Sequence, residues 1–229
     1  MALTGAGLER VIVLLGAPGS GKGTQAARLS KQLEIPALST GEMLRGEAKR
    51  NTAEGRRLRG ILAAGALVDD TVVCAAVNAR LQRELPGRGI ILDGFPRNVN
   101  QARRLNRILA GMGQPEPLVL HLQVSRECLI ERLTSRRHCG VCGTVYNLAL
   151  RPSALEAHCE NDGALLLTRD DDKESVIARR FDEYDRAFAP LVDFYRRADY
   201  HLIDGAQEAD VVAGALLAVI GFPKTAAAA

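Results

Sequence analysis

The sequence has no apolar run near the roughly 18 residues that a membrane-spanning helix needs, and its formal net charge is only +3. The first absence argues against a transmembrane helix. The second removes any global attraction to nucleic acid or to an anionic membrane surface. The N-terminal region also lacks a signal-peptide core, because the apolar run at 11–15 is short and leads directly into a glycine-rich stretch. We therefore expect a cytoplasmic protein with no membrane partner.

The cysteine content excludes a further class of fold. The five cysteines are an odd number in a chain without an export signal, which argues against a disulfide framework. Cys74 and Cys128 lie in apolar helical contexts, so we expect them to be inert core residues. The other three lie close together, between residues 139 and 159.

Glycine is concentrated where it carries chemistry. The segment Gly-Ala-Pro-Gly-Ser-Gly-Lys-Gly-Thr at 16–24 follows the predicted strand Val11–Leu15 and leads into a helix predicted over Gly23–Leu33. In this context Gly16-x4-Gly21-Lys22 matches the phosphate-binding loop, in which backbone N–H groups and the lysine ammonium surround phosphates. The residue after Lys22 is Gly23 rather than the usual magnesium-binding Ser or Thr, and the hydroxyl comes one position later, at Thr24. This argues against a GTPase-like switch.

Short apolar runs alternate with amphipathic segments along the chain. The predicted strands are Val11–Leu15, Ala37–Leu38, Gly89–Leu92, Leu118–Leu122 and Tyr200–Ile203, and the predicted helices between them include Thr71–Leu85, Asn98–Met112 and Ser125–Arg136. This alternation predicts an α/β fold of the P-loop NTPase type, a parallel sheet with helices on both faces. Two segments, 39–68 and 138–172, fit the scheme poorly. We expect both to be insertions at the carboxyl edge of the sheet, where ligands bind in this fold class.

The second insertion contains a potential metal site. Cys139-x2-Cys142 is followed by Cys159-x2-Asp162, and two chelating pairs of this kind are typical of a tetrahedral structural site. Three thiolates and a carboxylate favour zinc. The fourth ligand stays open at this point, because His138 and His158 lie beside the two pairs and could replace Asp162. A set of three reduced cysteines in a surface loop, without metal, is the alternative interpretation.

Polar residues that could bind a second phosphate group occur in small clusters. Asp93-Gly94-Phe95-Pro96-Arg97 follows a predicted strand, so Asp93 could orient the waters around Mg²⁺ and Arg97 could bind phosphate. Gln101, one helical turn further, offers an amide that can pair with a base edge. Arg132 and Arg136 stand four residues apart, which predicts that they share a helix face. The remaining candidates are Thr40, Arg45, Arg169 and Arg180.

Taken together, these motifs resemble the adenylate kinase family over about residues 10–220. The resemblance is carried by the phosphate loop, Ser-Thr-Gly-Glu-Met-Leu-Arg at 39–45, Asp-Gly-Phe-Pro-Arg at 93–97, Thr-Arg-Asp-Asp-Asp at 168–172 and the cysteine-bearing lid of the long bacterial type. It implies one core domain over 1–229 with an AMP-binding lobe at 39–68 and a lid at 135–172. It also implies Mg²⁺-dependent, reversible phosphoryl transfer from ATP to AMP by a monomer.

The resemblance assigns roles to individual residues. The ATP site it implies consists of Gly19, Ser20, Gly21, Lys22, Gly23, Thr24, Arg132, Arg136, Val145, Tyr146 and Gln207. The AMP site it implies consists of Thr40, Arg45, Ala66, Leu67, Val68, Gly94, Phe95, Pro96, Arg97, Gln101, Arg169 and Arg180. We expect the transferring phosphoryl group to be stabilised electrostatically by Lys22, Arg97, Arg132, Arg169 and Arg180.

Two alternatives stay open at the level of the sequence. A related kinase acting on UMP or CMP would share the phosphate loop. A P-loop ATPase that uses the cysteine-rich lobe to bind nucleic acid is less favoured, because acidic residues, among them Glu156 and Glu160, surround Cys159 and no aromatic residues are interleaved with basic ones there.

Overall fold

The computed structural model describes residues 9–66, 68–149 and 157–221. Its main sheet has five parallel strands in the order β2-β3-β1-β4-β8. The strands are β1 (Val11–Leu15), β2 (Ala37–Ser39), β3 (Ile90–Asp93), β4 (Leu118–Gln123) and β8 (Tyr200–Asp204). All five predicted strands are confirmed, each within one residue of its predicted bounds. The central position of β1 follows from its sequence, since a fully apolar pentapeptide can be buried on both faces.

Helices cover both faces of this sheet. They are α1 (Lys22–Leu33), α2 (Thr40–Ala48), α3 (Ala53–Ala63), α4 (Asp70–Glu84), α5 (Val99–Gly111), α6 (Arg126–Thr134), α7 (Glu174–Tyr195) and α8 (Ala209–Ile220). Along β1 the side chains alternate between two cores. Val11, Val13 and Leu15 face the core that includes residues of α4 and α5, whereas Ile12 and Leu14 face the core that includes residues of α1 and α8. The predicted α/β class is confirmed.

Strand β1 lies at the point where the order of the strands in the sheet reverses. One crossover places β3 on one side of β1, and a later one places β4 on the other side. A crevice opens at such a switch point outside the carboxyl ends of the strands. The glycine-rich loop at 16–21 starts there, directly after Leu15.

Two smaller units stand outside the main sheet. The first contains α2 and α3, whose N-caps are the Ser39 and Thr52 side chains. The second is a three-stranded antiparallel sheet in the order β6-β5-β7, formed by β5 (Arg136–Cys139), β6 (Val145–Asn147) and β7 (Leu166–Leu167). Within the described residues, no helix combines the length and apolar character that crossing a membrane requires.

Candidate active site

The phosphate loop is held in shape by glycines and by its own lysine. Gly16 and Gly21 have φ angles of 145° and 92°, which residues with a side chain rarely adopt. A Cβ on Gly16 would lie 2.6 Å from Ser20 Oγ and 2.7 Å from Leu122 O, so only glycine fits. Lys22, the first residue of α1, folds back and donates from Nζ to the carbonyl oxygens of Gly16 and Ala17 at 2.7 and 2.8 Å. The ammonium group therefore lies at the loop.

Lys22 lies in a strongly positive region. Burial lowers the pKa of Lys22 to about 8; Asp93 opposes this shift, and the charges of Arg97, Arg180 and Arg136 add to it. These three arginines come from the β3–α5 loop, from α7 and from β5. The fold thus brings cations from both borders of the cysteine-rich lobe and from the other side of the crevice to one lysine. A cluster of this kind matches the charge of several phosphate groups.

A carboxylate stands beside the loop. Asp93 ends β3 and lies opposite Leu14 of β1 in the sheet. A Cβ placed on Gly23 would lie 3.5 Å from Asp93 Oδ2, so this carboxylate is adjacent to the start of α1. Asp93 is 9% exposed. The position suits a carboxylate that orients the water molecules of a phosphate-bound Mg²⁺ ion.

The β3–α5 loop is tied to the start of α2. Thr40 Oγ1 donates to Gly94 O at 2.8 Å, and Arg97 Nε donates to the same carbonyl oxygen at 2.9 Å. Gly94 has a φ of 76°, and a Cβ there would lie 3.0 Å from Thr40 Oγ1. Phe95, in contrast, is fully buried, so its side chain belongs to the core. Any contact of Phe95 with a ligand would therefore be made by its backbone.

A small cavity collects several of the predicted AMP-site residues. Its wall is formed by Thr40, Leu44, Leu62, Ala66, Val68, Val73, Arg97 and Gln101. The apolar residues suit the faces of a planar base, and Gln101 supplies a polar edge. Arg45 lies in the last turn of α2, and its guanidinium group extends back to the start of the helix, where a Cβ on Gly41 would be 3.1 Å from it. Leu67 lies outside the described residues.

Two carboxylates bind the arginines that border the cysteine-rich lobe. Asp172 has a fully buried side chain and accepts from Arg136 Nε and Nη2 at 2.7 and 2.5 Å, and from Arg180 Nη1 at 2.8 Å. Arg180 also pairs with Asp171 at 3.2 Å. Burial, together with the charges of Arg45 and Arg136, lowers the pKa of Arg169 to about 10. The Nε of Arg169 is buried and has no hydrogen-bond partner in the described part of the chain.

The predicted helical pairing of Arg132 and Arg136 is wrong. Helix α6 ends at Thr134, and Arg136 begins strand β5. The two side chains therefore serve different parts of the site: Arg136 binds Asp172, whereas Arg132 donates to Gly205 O and Ala206 O at 2.9 and 3.1 Å. The cause is tertiary, because residues 136–138 pair with β6 instead of extending the helix.

Val145, Tyr146 and Gln207, which are also predicted to contact ATP, differ in how accessible their side chains are to a ligand. Val145 is 43% exposed, whereas the Tyr146 side chain is buried and its hydroxyl lies 3.2 Å from Cys159 Sγ. Tyr146 could therefore reach a nucleotide only through its backbone. Gln207 lies just beyond the Arg132 contacts, and its Nε2 donates to Asp204 Oδ2 at 2.8 Å.

The larger cavity, about 130 Å³, lies between the phosphate loop and α7. Its polar wall includes Lys22, Arg97 and Arg180, and its apolar wall includes Tyr184 and Phe188, which stack at 4.3 Å between ring centroids. Lys22 and Arg97 come from the two predicted phosphate sites, so the cavity joins them. Space for a shared phosphoryl group between two cationic sites is what group transfer requires.

The four predicted metal ligands form one cluster. In the described residues, the group of His, Cys, Asp and Glu side chains that could hold a metal ion is Cys139, Cys142, Cys159 and Asp162, whose ligand atoms lie within 4.8 Å of one another. Cys142 Sγ and Cys159 Sγ are 3.5 Å apart, close to the edge of about 3.8 Å that Zn–S bonds of about 2.3 Å give in a tetrahedron. His138 Nδ1 lies 2.9 Å from Leu167 O, away from this cluster.

Some residues of the site have no role in the sequence-based prediction. Asp171 and Asp172 belong to the motif at 168–172, but the residues that they bind become apparent only in the structure. Tyr184 and Phe188 read as ordinary apolar positions of a helix. The signal in the sequence that could indicate a role for Asp171 and Asp172 is the run of three acidic residues directly after Arg169, because carboxylates can hold phosphate-binding arginines in place.

A phosphate loop at the switch point of a parallel sheet, a carboxylate beside it and a second cationic pocket define an enzyme of the P-loop phosphotransferase class. Comparison with known proteins identifies the family. The family model described as adenylate kinase matches residues 14–200. The chain belongs to the adenylate kinase family.

Curated relatives agree over most of the chain. The adenylate kinase of Geobacter sp. strain M21 is 42% identical over 210 residues, covering 91% of this chain and 98% of that protein. The adenylate kinase of Thermodesulfovibrio yellowstonii is 44% identical over 181 residues, covering 79% and 84%. The adenylate kinase of Fervidobacterium nodosum is 36% identical over 211 residues, covering 92% and 97%. The chain is thus a phosphotransferase of this family.

Proposed function

We propose that the chain transfers the terminal phosphoryl group of ATP to AMP, reversibly, at the cavity between Lys22 and Arg97. Family membership supports the reaction. The observation that carries the site assignment is the convergence of Arg97, Arg136 and Arg180 on Lys22, because each lowers the pKa of that lysine. An AMP phosphate oxygen is the nucleophile, so the protein has to supply position and positive charge rather than a reactive side chain.

The donor site is built around the phosphate loop. Backbone N–H groups of Gly19–Thr24 and the Lys22 ammonium bind the ATP phosphates, and Arg132 orders the loop at 205–207 against which the adenine lies. Residues from the lid, Arg136 and Val145–Tyr146, complete this site. Mg²⁺ arriving with ATP would be held through waters by Asp93, and it would neutralise charge on the β- and γ-phosphates.

The acceptor site is the cavity under α2 and α3. Thr40, Arg45 and Arg97 surround the AMP phosphate, whereas Val68 and Gln101 contact the base. Arg169 and Arg180 lie between the two nucleotides and stabilise the transferring group together with Lys22, Arg97 and Arg132. The segments 39–68 and 135–172 act as the AMP lobe and the lid, and both close over the substrates to exclude water.

We also propose that Cys139, Cys142, Cys159 and Asp162 bind Zn²⁺. The donor set and the spacing of the four ligand atoms support this assignment. Further groups orient the ligands: the N–H groups of Val141 and Cys142 donate to Cys139 Sγ at 3.3 and 3.4 Å. Four protein ligands would leave no open position, so the role is to stabilise a small lobe that has little core of its own.

A comparison of acceptor substrates tests the proposed reaction. ADP formation is followed with MgATP and AMP, UMP or CMP, in the presence and absence of DNA. AMP should be strongly preferred and DNA should have no effect. Preference for a pyrimidine monophosphate, or DNA-stimulated ATP hydrolysis, would support the alternatives instead.

The site assignment has its own variants. Lys22→Ala should lower kcat by at least about a hundredfold, whereas Lys31→Ala, an exposed lysine of the same helix, should have little effect. Arg97→Ala and the exposed Arg103→Ala form the second pair. Near-normal turnover in the Lys22 or Arg97 variant would contradict the assignment.

We further propose a monomer that works in the cytoplasm. The proposal is supported by membership of the adenylate kinase family and by a crevice whose assigned residues all come from one chain. Light scattering at micromolar concentration should give a mass near 24.6 kDa. A dimer mass that persists on dilution would contradict the monomer.

A further inference from the structure

The side-chain amide of Gln101 lines the small cavity and is hydrogen-bonded through both of its polar atoms. Its Oε1 accepts from the backbone N–H of Arg97 at 2.8 Å, and its Nε2 donates to Asp70 Oδ1 at 2.6 Å. Gln101 is only 2% exposed, so these contacts are shielded from water. The partner Asp70 is 31 residues away, at the first position of α4.

These two partners fix which way round the amide lies. The oxygen and nitrogen ends of a primary amide have nearly the same shape, so hydrogen-bonding partners decide its orientation. A backbone N–H can only donate, and an ionised carboxylate can only accept. A flipped amide would face Arg97 N–H with a donor and Asp70 with an acceptor, and both contacts would be lost in a buried setting.

Asp70 is itself held in place. Asn98, the N-cap of α5, donates from Nδ2 to Asp70 Oδ1 and Oδ2 at 3.0 and 3.1 Å. The Oδ1 of Asn98 accepts from the backbone N–H of Gln101 at 2.9 Å, which fixes the Asn98 amide in turn. The cap of α5, the start of α4 and the amide of Gln101 therefore form one connected network.

The network leaves one donor and one acceptor available on Gln101. Each amide atom has a second hydrogen-bonding position, and no other hydrogen bond of this side chain occurs among the described residues. A free N–H beside a free oxygen lone pair matches the edge of a 6-aminopurine, which presents a ring nitrogen acceptor and an amino donor. A 6-oxopurine presents the reverse pattern, a ring N–H donor and a carbonyl acceptor, and would need the flipped amide.

We propose that Asp70 is a specificity-determining residue, which holds the Gln101 amide in the orientation that selects a 6-aminopurine monophosphate and rejects a 6-oxopurine. This inference rests on the proposed placement of the acceptor base in the small cavity. Asp70 acts as a positioning residue, through Gln101, and does not touch the nucleotide. Rejection of the wrong base is strong at a site of this kind, because the mismatched base leaves buried polar groups unpaired.

The test substitutes Asp70→Asn and compares two acceptors. An asparagine at 70 can present either an oxygen or an NH₂ group to Gln101, so residue 70 no longer requires a donor from the Gln101 amide. A flip of that amide then costs the Arg97 contact and one of the Asn98 contacts to residue 70, but it no longer sets an acceptor against a buried carboxylate. Initial rates with MgATP give kcat/KM for AMP and for IMP. The AMP/IMP ratio should fall by about tenfold or more, since one of two orienting contacts is lost.

Asp69→Asn is the matched control. Asp69 is the N-cap of α4, where its Oδ1 accepts from Thr71 N at 2.8 Å, and asparagine caps as well as aspartate. It makes the same change of charge one residue away without a contact to Gln101, so its AMP/IMP ratio should stay within about twofold of the parent.

Each outcome decides the matter. A parallel loss for AMP and IMP in Asp70→Asn, with the ratio unchanged, would overturn the inference and leave Asp70 a structural role. If Asp70→Asn lacks a cooperative thermal transition, Asp70→Ser replaces it, because a hydroxyl also both donates and accepts; an unchanged ratio there overturns the inference equally. A parent enzyme that does not use AMP would overturn the proposed function itself, whatever the variants do.

Discussion

Asp172 holds two arginines of the site, and its removal gives a measurable prediction. The carboxylate is fully buried, and it accepts three hydrogen bonds from Arg136 and Arg180, whose side chains are 17% and 18% exposed. Asp172→Asn keeps the shape of the side chain but removes its charge. The guanidinium groups of Arg136 and Arg180 would then repel each other without the charge of Asp172 between them. Asp171 would still contact Arg180.

The size of the effect follows from burial. Breaking a fully buried ion pair by removing one partner costs about 3–5 kcal/mol. The partial exposure of both arginines and the residual hydrogen bonding of asparagine reduce this to about 2–3 kcal/mol. For a chain of this length, 1 kcal/mol shifts Tm by about 2–4 °C. We therefore expect Tm to fall by roughly 4–12 °C.

The assay is thermal unfolding with Asp170→Asn as the control. Asp170 lies two residues earlier, is 73% exposed and pairs with the exposed Lys173, so its loss should shift Tm by no more than about 2 °C. AMP together with a non-hydrolysable ATP analogue should raise Tm more in Asp172→Asn than in the parent, because phosphate oxygens replace the missing carboxylate. Equal Tm values for the two variants would refute the reasoning.

Three further predictions concern the lysine, the metal cluster and the adenine side of the ATP site. The pKa of Lys22 is lowered to about 8 from an ordinary 10.5, so the ammonium form that binds phosphate is lost as pH rises above 8. At pH 8.5 the binding of ATP should therefore take up protons. Titration calorimetry in two buffers of different ionisation enthalpy measures this uptake, and equal binding enthalpies in the two buffers would contradict the prediction. Removal of the metal by a chelator, or Cys142→Ser, should lower Tm and reduce kcat much less, while Cys128→Ser, outside the cluster, serves as the control; an unchanged Tm on verified metal loss would contradict a stabilising role. Arg132→Lys should raise KM for ATP more than KM for AMP, since one ammonium cannot replace the fork to Gly205 O and Ala206 O, and equal changes in both constants would contradict this.

The main sheet and its helices could be predicted because their signals are local. Strand β1 is a buried apolar run, and helix α5 combines periodic apolar residues with the Asn98 cap. The phosphate loop could be predicted for the same reason, since its glycines and its lysine contact groups within the same short loop. The bounds of these elements differ from the predicted ones by no more than two residues.

The parts that sequence reasoning missed depend on distant partners. The apolar spacing of Ser125–Arg136 predicts one helix, yet α6 ends at Thr134 and residues from Arg136 onward pair with β6. The Tyr146 hydroxyl contacts Cys159, and the Asp70 carboxylate contacts Gln101, although nothing near either residue in the sequence indicates such a partner. Side-chain contacts across 13 or 31 residues are set by packing, which a local pattern does not encode.

Contacts within the protein hold the cations of the site in place. Lys22 contacts loop carbonyls, Arg97 contacts Gly94 O, and Arg180 contacts Asp171 and Asp172. Phosphate oxygens would therefore replace carbonyl and carboxylate oxygens as the acceptors of side chains that are already held in place, which lowers the entropic cost of binding. Burial lowers the pKa of Arg97 and of Arg169, and repulsion from a neighbouring guanidinium group, that of Arg180 for Arg97 and that of Arg45 for Arg169, lowers both further. In the proposed reaction, phosphate charge would relieve this repulsion, so these arginines would stabilise charge that develops on the transferring group.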